Sequence, residues 1–468
     1  MATKKDLVEA YSFSRRRLVT AFVSGAPGGR EVEPPRPGRS IVGGLALAVL
    51  LIAGAAVAGI FTSNVDPAWA EQPGLVISKE EAEVFVITES RADPVLHPIL
   101  NITSAKLILG SDVEPKVIPE GYIAEVEIGS DLGIFGAPYD VPDPSRLVSS
   151  GWTSCTDGAR GGLRLNLSED PSVSPAPANG GVLVRVGKET WLIAASRPDR
   201  DGVVSAHRYL VPAAARTRQG LVLGALGLGS GTAEVTPVSR EWLNLFPQGA
   251  DIAPSTLGVA PDAGQGGSGG SADARPGDLL VVNGQPYVVL EDGSVAELDE
   301  FAVAVATGST ELPDSATYSG DIDDLEIDDA GIAETRWPDT TLQPVFGERC
   351  AQLVTEPGAA PVVRLVQEPE GEAAALGRQG ESVAVDAGAG AFVLSGGWSD
   401  GTRGAPFVID AKGVAYPLED SAAASQLGYS GVAAPVVPDS WVEQFTGGVA
   451  LSRTAALCEP QVGAQPCA

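Results

Sequence analysis

One segment constrains this chain more than any other: residues 41–61, IVGGLALAVLLIAGAAVAGIF, form an uninterrupted run without a charged side chain. As an α-helix this run would be about 31 Å long, which matches the roughly 30 Å hydrocarbon core of a bilayer. We therefore predict one transmembrane helix over residues 41–61. A cleaved signal peptide is the alternative, because Ala68-Trp69-Ala70 resembles a cleavage site, but the apolar run of a signal peptide is only about 7–15 residues long.

Charge is distributed unevenly on the two sides of this segment. Residues 1–40 contain eight Lys and Arg against four acids, whereas the whole chain of 468 residues has a net charge of −29. By the positive-inside rule the basic arm stays in the cytoplasm and the acidic remainder is exported. So acidic a chain is a poor binder of nucleic acid. We predict a single-pass protein of the inner (cytoplasmic) membrane with a cytoplasmic N-terminus and a periplasmic C-terminal part.

The basic arm, residues 1–40, predicts an amphipathic helix. Its apolar side chains recur at helical spacing on one side, and the run Arg15-Arg16-Arg17 interrupts them with charge. The arginines could serve only to set the topology, or they could bind a cytoplasmic partner or anionic lipid headgroups. We predict that a cytoplasmic partner docks on seven residues of the arm: Tyr11, Phe13, Arg15, Arg16, Arg17, Leu18 and Phe22.

Beyond the apolar segment, short apolar runs of four to eight residues alternate with turn residues. Such lengths favour antiparallel β-strands. Asn283-Gly284, Asp292-Gly293 and Lys412-Gly413 each separate two such runs, which predicts β-hairpins. The expected fold class is mainly β with short helices, an α+β fold.

Two stretches of the exported part repeat the order Trp, three residues, Phe, two residues, Gly. Trp242 and Phe246 in one match Trp441 and Phe445 in the other. Residues four apart lie on one face of a helix, and the Gly would stop that helix. We predict that these four aromatic residues form the cores of two equivalent repeats. Stacking of a ligand on Trp242 or Trp441 is the alternative.

All four cysteines lie on the exported side, and their even number suits disulfides in an oxidising compartment. Cys458 and Cys467 are near neighbours, so the economical pairing is local there and long-range between Cys155 and Cys350. Zinc is the weaker alternative, because the chain has no C-x2-C spacing and only two histidines.

No catalytic motif is recognisable in the sequence. The only Gly-Lys pair, Gly187-Lys188, lacks the upstream Gly of a P-loop, and neither H-E-x-x-H nor a nucleophile elbow with a usable His occurs. The acidic stretch 311–334 lacks the Gly and Glu positions of a calcium-binding loop. We therefore predict no catalytic residue, no cofactor and no metal site.

Four features together resemble the EccB family of actinobacterial type VII (ESX) secretion systems. The first is the arm YSFSRRRLVTAFV (11–23), ahead of the single apolar span. The others follow the span in the same order as in that family: LHPILNITSAKLILG (96–110), GIFGAP (133–138) and WTSC (152–155). The resemblance covers the whole chain and is thinnest across residues 262–334.

The resemblance implies a membrane-complex subunit whose elongated exported part has four β-rich repeats around a central domain. It also implies a disulfide, for which Cys155 and Cys350 occupy matching places. The predicted segments are the arm (1–40), the transmembrane helix (41–61), the first repeat with the start of the central domain (62–160), the second repeat (161–256), a Gly/Ser-rich linker (257–277), the third repeat with an acidic loop (278–345), the return of the central domain (346–390), the fourth repeat (391–452) and a C-terminal tail (453–468).

The function implied is that of a structural core subunit of the secretion complex. Its partners would be an FtsK/SpoIIIE-type ATPase, a multi-span channel subunit and a mycosin protease, together with further copies of the chain. Some family members carry an ATPase label, so a membrane-anchored nucleotide hydrolase of the same system is the alternative, although no motif here supports it. A tethered exported hydrolase and an anchored cell-wall or ligand-binding module are two further alternatives.

Overall fold

The structure is a computed structural model of the chain. It divides into two compact units, residues 1–66 and residues 67–468, which are treated separately below. The residues that it describes are 4–24, 65–66, 68–90, 93–157, 162–213, 216–229, 233–259, 275–312, 326–328, 332–347, 349–367, 381–419 and 421–460.

In the first unit the structure describes one helix, α1 (Lys4–Ser24). This helix covers the predicted amphipathic segment of the arm. The predicted transmembrane helix, residues 41–61, lies outside the described residues. Within the part of the chain that is described, no helix is both long and apolar enough to cross a membrane.

The second unit is mainly β-sheet with short helices, which confirms the predicted fold class. Its strands are β1 (Gly74–Ser78), β2 (Val84–Ile87), β3 (Val95–Pro98), β4 (Lys116–Ile118), β5 (Glu127–Ile128), β6 (Trp152–Asp157), β7 (Gly162–Leu167), β8 (Ser174–Pro175), β9 (Gly180–Val186), β10 (Glu189–Ala195), β11 (Ala206–Val211), β12 (Val235–Pro237), β13 (Leu279–Val282), β14 (Gln285–Val289), β15 (Val295–Glu297), β16 (Gln343–Pro344), β17 (Arg349–Val354), β18 (Val362–Gln367), β19 (Glu381–Val385), β20 (Ala391–Gly396), β21 (Ala405–Ile409), β22 (Val414–Pro417), β23 (Val436–Pro438) and β24 (Thr446–Gly447). Its α-helices are α2 (Ile102–Leu109), α3 (Glu120–Ile123), α4 (Arg216–Ala225), α5 (Arg240–Leu243), α6 (Glu300–Thr307), α7 (Ser421–Gln426), α8 (Asp439–Val442) and α9 (Arg453–Ala456).

The first repeat is a five-stranded sheet with the strand order β4-β1-β2-β3-β5. Helix α2 packs on this sheet. It begins at Asn101, whose side chain accepts a hydrogen bond from the Ser104 N–H at 2.8 Å, and it ends at Gly110, where φ is +98°. A side-chain cap of this kind satisfies a backbone donor that has no partner within the helix.

The second and fourth repeats share one topology. In the second, the order is β11-β10-β9-β12, and β16 also pairs with β9; in the fourth, it is β23-β20-β21-β22-β24. In each, two antiparallel hairpin steps lead to a helix, and a short parallel strand then returns beside the first strand. A one-turn helix follows that strand, α5 in the second repeat and α8 in the fourth.

The third repeat is a three-stranded sheet, β13-β14-β15, followed by α6. Asn283 and Gly284 join β13 to β14 and both have positive φ, as a type I′ turn requires. The three hairpins predicted from Asn283-Gly284, Asp292-Gly293 and Lys412-Gly413 are all present.

The central domain is a six-stranded sheet with the order β19-β7-β6-β17-β18-β8. Its strands come from two parts of the chain that are nearly two hundred residues apart, and β6 pairs with β17 in antiparallel register where the two parts meet. Sheet pairing across such a sequence separation closes the second and third repeats into one large loop.

Three apolar cores show which repeats pack together. One core joins the first and fourth repeats, and a second joins the second and third. The largest core joins the central sheet to the second and fourth repeats. Helices meet within the two outer cores: α2 contacts α7 and α9, and α4 contacts α6.

The strand pairing departs from the predicted segments in two places. Residues 162–175, predicted in the second repeat, pair with the central sheet, because β7 pairs with β6 and β8 pairs with β18. Residues 343–344, predicted in the third repeat, form β16 on the sheet of the second. In both places the backbone pairs with a partner that is distant in sequence. The segment predicted as the C-terminal tail begins as α9, which contacts α2 of the first repeat.

Candidate functional site

The residues predicted to dock a cytoplasmic partner all lie on α1, with exposed side chains. At about 100° per residue, Leu7, Tyr11, Leu18 and Phe22 form one stripe along the helix. Phe22 is 93% exposed. The residues of the first unit that the structure describes therefore leave this stripe without cover.

The other predicted docking residues of α1 surround the helix. At the same angular spacing Arg15 borders the apolar stripe, whereas Arg16, Arg17 and Phe13 point away from it. Exposed apolar stripes flanked by cations bind either a partner helix or an anionic surface. The geometry of α1 is suited to docking, and only its stripe side offers apolar contact of any length.

The four aromatic residues of the internal repeat are buried where the second and fourth repeats meet the central sheet. Trp242 and Trp441 are fully buried, and so is Phe246, while Phe445 is nearly so. The rings of Trp242 and Phe246 meet edge to face with centroids 5.2 Å apart. Phe445 packs edge to face on Trp152 of the central sheet at 5.5 Å. A ligand could not stack on either tryptophan without opening the core.

The indole N–H groups of these tryptophans join the repeats to one another. Trp242 Nε1 donates to the Ser154 carbonyl of the central sheet at 3.0 Å. Trp441 Nε1 of the fourth repeat donates to the Leu245 carbonyl of the second at 3.2 Å. Each bond satisfies a buried polar group on both sides of a junction. The pair of tryptophans thus orients both repeats against the central sheet.

The glycines of the same motif do not stop a helix as predicted. Helices α5 and α8 end at Leu243 and Val442, well before the glycines. A Cβ on Gly249 would come within 2.2 Å of the Tyr209 ring, and one on Gly448 within 2.4 Å of the Tyr416 ring. These positions are therefore glycine because a tyrosine ring of the same repeat lies against the backbone.

Cys155 on β6 and Cys350 on β17 lie directly opposite each other and form a disulfide. Both are buried. The bond links positions 195 residues apart, so it closes the loop that contains the second and third repeats. Cys458 is also disulfide-bonded. Cys467, its predicted partner, lies outside the described residues.

Two of the sequence motifs that follow the apolar segment pack directly on each other. Asn101 Nδ2 donates to the Ile134 carbonyl at 3.0 Å, and the Ile134 N–H donates to Ser104 Oγ at 2.9 Å. The Gly133 N–H donates to the Cys458 carbonyl at 3.1 Å. The motifs at 96–110 and 133–138 therefore form one structural joint between the first repeat and the end of the described chain.

The described residues contain no group of three His, Cys, Asp or Glu side chains placed to hold a metal ion. The two histidines lie in different repeats. His97 Nδ1 lies 2.9 Å from the Ser130 carbonyl, and His207 Nδ1 lies 2.9 Å from the Ser205 carbonyl. Burial lowers the pKa of His207, and the nearby Arg336 guanidinium lowers that pKa further. His207 is therefore neutral at neutral pH.

A partly buried ion pair, which sequence reasoning missed, joins the second and third repeats. Arg197 Nη2 lies 2.5 Å from Asp299 Oδ2. Asp299 also caps α6, because its Oδ1 accepts a hydrogen bond from the Ala302 N–H at 2.8 Å. Burial raises the pKa of Asp299, while the Ala302 N–H and Arg197 act in the opposite direction. No sequence signal placed these two residues together, since about a hundred positions separate them.

Sequence reasoning also missed a cleft of about 1140 Å³ in the second unit. Three loops line it: the β10–β11 loop of the second repeat (196–205), the β17–β18 loop of the central domain (355–361) and the β20–β21 loop of the fourth repeat (397–404). The three loops are far apart in sequence and meet only because both repeats pack on the central sheet. We call this feature the three-loop cleft.

Over residues 1–463 the sequence matches the family described as "Type VII secretion system ESX-1, transport TM domain B", EccB. The chain belongs to this family. Among its relatives is the ESX-1 secretion system ATPase EccB1 of Mycobacterium tuberculosis (strain ATCC 25618 / H37Rv), with 29% identity over 62% of this chain and 58% of the relative. The EccB1 of Mycolicibacterium smegmatis (strain MKD8) is 26% identical over 98% of this chain and 95% of its own length.

Solved EccB structures share the fold. The chain superimposes on the EccB3 dimer from the ESX-3 core complex with a TM-score of 0.59 and 23% identity, over 82% of this chain and 100% of that one. For a chain of the intact ESX-5 inner membrane complex the TM-score is 0.59 at 20% identity, over 99% and 96%. At these identities the likeness concerns the fold.

Proposed function

We infer that the chain is a structural core subunit of a type VII (ESX) secretion membrane complex, which scaffolds the assembly and its exported face. The observation that carries this inference is the EccB family match over residues 1–463. The buried tryptophan junctions and the Cys155–Cys350 bond support it, because they make the repeats and the central sheet one stiff body. A stiff body with exposed apolar surfaces is what a scaffold requires.

The topology that we propose has the arm in the cytoplasm, one helix across the inner membrane at residues 41–61, and the second unit on the periplasmic side. The uncharged run of residues 41–61 and the basic character of residues 1–40 support this arrangement. The disulfides support export of the second unit, since such bonds persist in oxidising compartments.

For α1 we propose docking to a cytoplasmic partner subunit, of which an FtsK/SpoIIIE-type ATPase is the first candidate. The exposed stripe of α1 and the flanking Arg15 provide apolar and charged contact to such a partner. A multi-span channel subunit and a mycosin protease complete the set of partners that we propose, in the membrane and on the exported side.

We also propose that copies of the chain associate with one another. Exposed apolar side chains near the joint of the first and fourth repeats support this proposal: Phe135 and Tyr139 are 51% and 68% exposed, and Val449 is 37% exposed. Gly136, next to Phe135 in the chain, lies close to Val449, since a Cβ there would be 3.4 Å from Val449 Cγ1. Aromatic side chains are enriched at protein interfaces.

The experiment that tests the proposed function is purification of the tagged full-length chain in mild detergent, followed by native mass analysis. We expect a large complex that contains an FtsK-type ATPase. Replacement of Arg15 and Arg16 by Ala should weaken that assembly, whereas replacement of Lys4 and Lys5 by Ala, at the far end of the same helix, removes the same two positive charges and is the control. Recovery of the chain alone from its own membranes would contradict the scaffold.

A second candidate function, nucleotide hydrolysis, is favoured by the names of the relatives, which are called ATPases. Against it, the sequence has no P-loop. The test is ATP hydrolysis by the purified full-length chain, freed of its partners by detergent and salt. ATP hydrolysis that co-purifies with this chain through successive chromatography steps would support nucleotide hydrolysis as its function. It would also require a nucleotide-binding site without a known sequence motif.

A further inference from the structure

Two loops of the three-loop cleft are longer than is needed to join neighbouring antiparallel strands. The second and fourth repeats share one strand order, yet β9 and β10 are joined by two residues, whereas β10 and β11 are joined by residues 196–205. The fourth repeat places its long loop, residues 397–404, between β20 and β21 instead. Both long loops face the same cleft. Long loops on a rigid scaffold commonly carry binding functions.

These long loops have defined conformations of their own. In the second repeat Asp199 Oδ1 accepts hydrogen bonds from the Asp201 and Val203 N–H groups at 2.9 and 2.8 Å. In the fourth, Asp400 Oδ1 accepts from the Thr402 N–H at 2.8 Å, and Arg403 pairs with the same carboxylate. Loops that are ordered before binding lose less conformational entropy when a ligand binds.

The loops also contact each other through the central domain. Gly401 approaches the β17–β18 loop so closely that a Cβ there would lie 2.3 Å from the Ala359 carbonyl carbon. Ser205 Oγ accepts the Val363 N–H at 3.1 Å, and so fixes the β10–β11 loop to β18. Both long loops are therefore attached to the central domain at these points.

The inner surface of the cleft combines aliphatic side chains with polar ones. Val203 and Val204 are each 42% exposed, and Ala360, Pro361 and Pro177 line the same space. Its charged groups nearly cancel, with three carboxylates against two guanidinium groups: Asp199, Asp201, Glu356, Arg336 and Arg364. A strongly charged ligand would leave this surface electrostatically unbalanced, whereas an uncharged apolar one would fit it.

Two ring nitrogens belong to residues that line the cleft, and neither has a hydrogen-bond partner among the described residues. His207 Nε2, in the second repeat, is an acceptor, because Nδ1 of the neutral ring donates to the Ser205 carbonyl. Trp398 Nε1, in the long loop of the fourth repeat, is a donor. An acceptor and a donor among aliphatic side chains match the alternating N–H and C=O groups of an extended main chain.

From these observations we propose that the three-loop cleft binds an extended, uncharged polypeptide segment with small or aliphatic side chains, contributed by another protein on the exported side. The volume of about 1140 Å³ exceeds that of most small-molecule sites. Among the described residues that line the cleft, Trp398 is the only one with a phenyl, phenol or indole ring, which offers little to a glycan. This proposal deepens the scaffold function and rests on it for the location of the partner.

The test selects peptides on the full-length protein in detergent. A phage-displayed library of random peptides is first depleted on the variant Ala360→Trp and then selected on the wild type. Ala360 is exposed and lines the cleft, so its replacement by Trp fills the site without disturbing the core. Synthetic copies of the enriched peptides are then titrated by fluorescence anisotropy.

We expect the enriched peptides to be uncharged and to bind the variants Ala360→Trp and Trp398→Ala at least tenfold more weakly than the wild type. The variant Leu221→Ala, which removes an exposed apolar side chain outside the cleft, should bind them like the wild type. Failure to enrich any peptide, equal binding by Ala360→Trp, or enrichment of highly charged peptides only would overturn the proposal.

Two parallel measurements distinguish this proposal from a carbohydrate ligand and from failure of the scaffold function. Titration with soluble chitotetraose tests the glycan, and binding that Ala360→Trp abolishes would replace the polypeptide by a carbohydrate ligand. Native mass analysis of the wild type and of Ala360→Trp tests the scaffold independently. A complex of full size in both, together with no peptide binding, would overturn the cleft proposal and leave the scaffold function standing.

Discussion

The bond between Cys155 and Cys350 should contribute a large share of the stability of the second unit. It constrains the unfolded chain over a separation of 195 residues. In the loop-entropy treatment a closed loop of this size stabilises the folded state by about 5 kcal/mol at 25 °C. Since folded domains are stable by only about 5–15 kcal/mol, removal of this bond should be severe.

The perturbation is the double replacement of Cys155 and Cys350 by Ala, with urea unfolding followed by circular dichroism. If m is about 3 kcal/mol per molar urea, a loss of about 5 kcal/mol lowers the unfolding midpoint by roughly 1.5 M. Reduction by dithiothreitol of the variant that lacks Cys458 and Cys467 should lower the midpoint by the same amount, because Cys155 and Cys350 then form the only bond that can be reduced. Replacement of Cys458 and Cys467 by Ala is the control, because the predicted bridge between them would close only a short loop near the C-terminus and should contribute less.

A midpoint that changes by less than the equivalent of 1 kcal/mol would refute this reasoning. It would mean that the unfolded chain already holds β6 and β17 together, so that the bond removes little freedom. A loss in the double variant that reduction does not reproduce would instead assign the effect to packing, since both cysteines are buried against Val366.

Three further predictions concern single side chains. Trp441→Phe removes the donor to the buried Leu245 carbonyl and should cost about 1–3 kcal/mol in urea unfolding; a loss below 0.5 kcal/mol would contradict the junction. His207 should destabilise the fold in acid, because its pKa is lower in the folded protein than in the unfolded chain. Its contribution to the free energy of unfolding is fully present above the pKa of the unfolded chain, about 6.5, and is lost as the pH falls below that value. His207→Gln should therefore flatten the acid side of the stability profile, and parallel profiles would exclude this role. Asp299→Asn retains the α6 cap and loses the ion pair with Arg197, so it should destabilise less than Asp299→Ala, which loses both; equal losses would assign the effect to the pair alone.

Much of the local structure was predictable because its cause lies within a few residues. Asn283-Gly284 supplies two positions that tolerate positive φ, so the turn and its strand register follow from the dipeptide. The helical stripe of α1 follows from spacing in the same way. The Trp and Phe spacing of the internal repeat marks four residues that all lie in the largest core, and their burial follows from their size and apolarity.

The errors share one cause, which is pairing over long distances in sequence. The sequence predicts that Gly249 ends a helix, because no residue near it in sequence indicates that the ring of Tyr209 packs against it. Strand β7 was assigned to the second repeat, because its partner β6 lies across a predicted boundary. The cleft was invisible, since none of its three loops carries a motif by itself.

The sequence by itself determined the properties that depend on composition and short spacing: the uncharged run of residues 41–61, the basic arm, the hairpins and the family. Only the tertiary structure decided which repeats share a core, how Trp441 joins the fourth repeat to the second, and where the three loops converge. The physical reason is that hydrogen bonding within a turn is local, whereas burial of apolar surface is non-directional and selects its partners only when the whole chain packs.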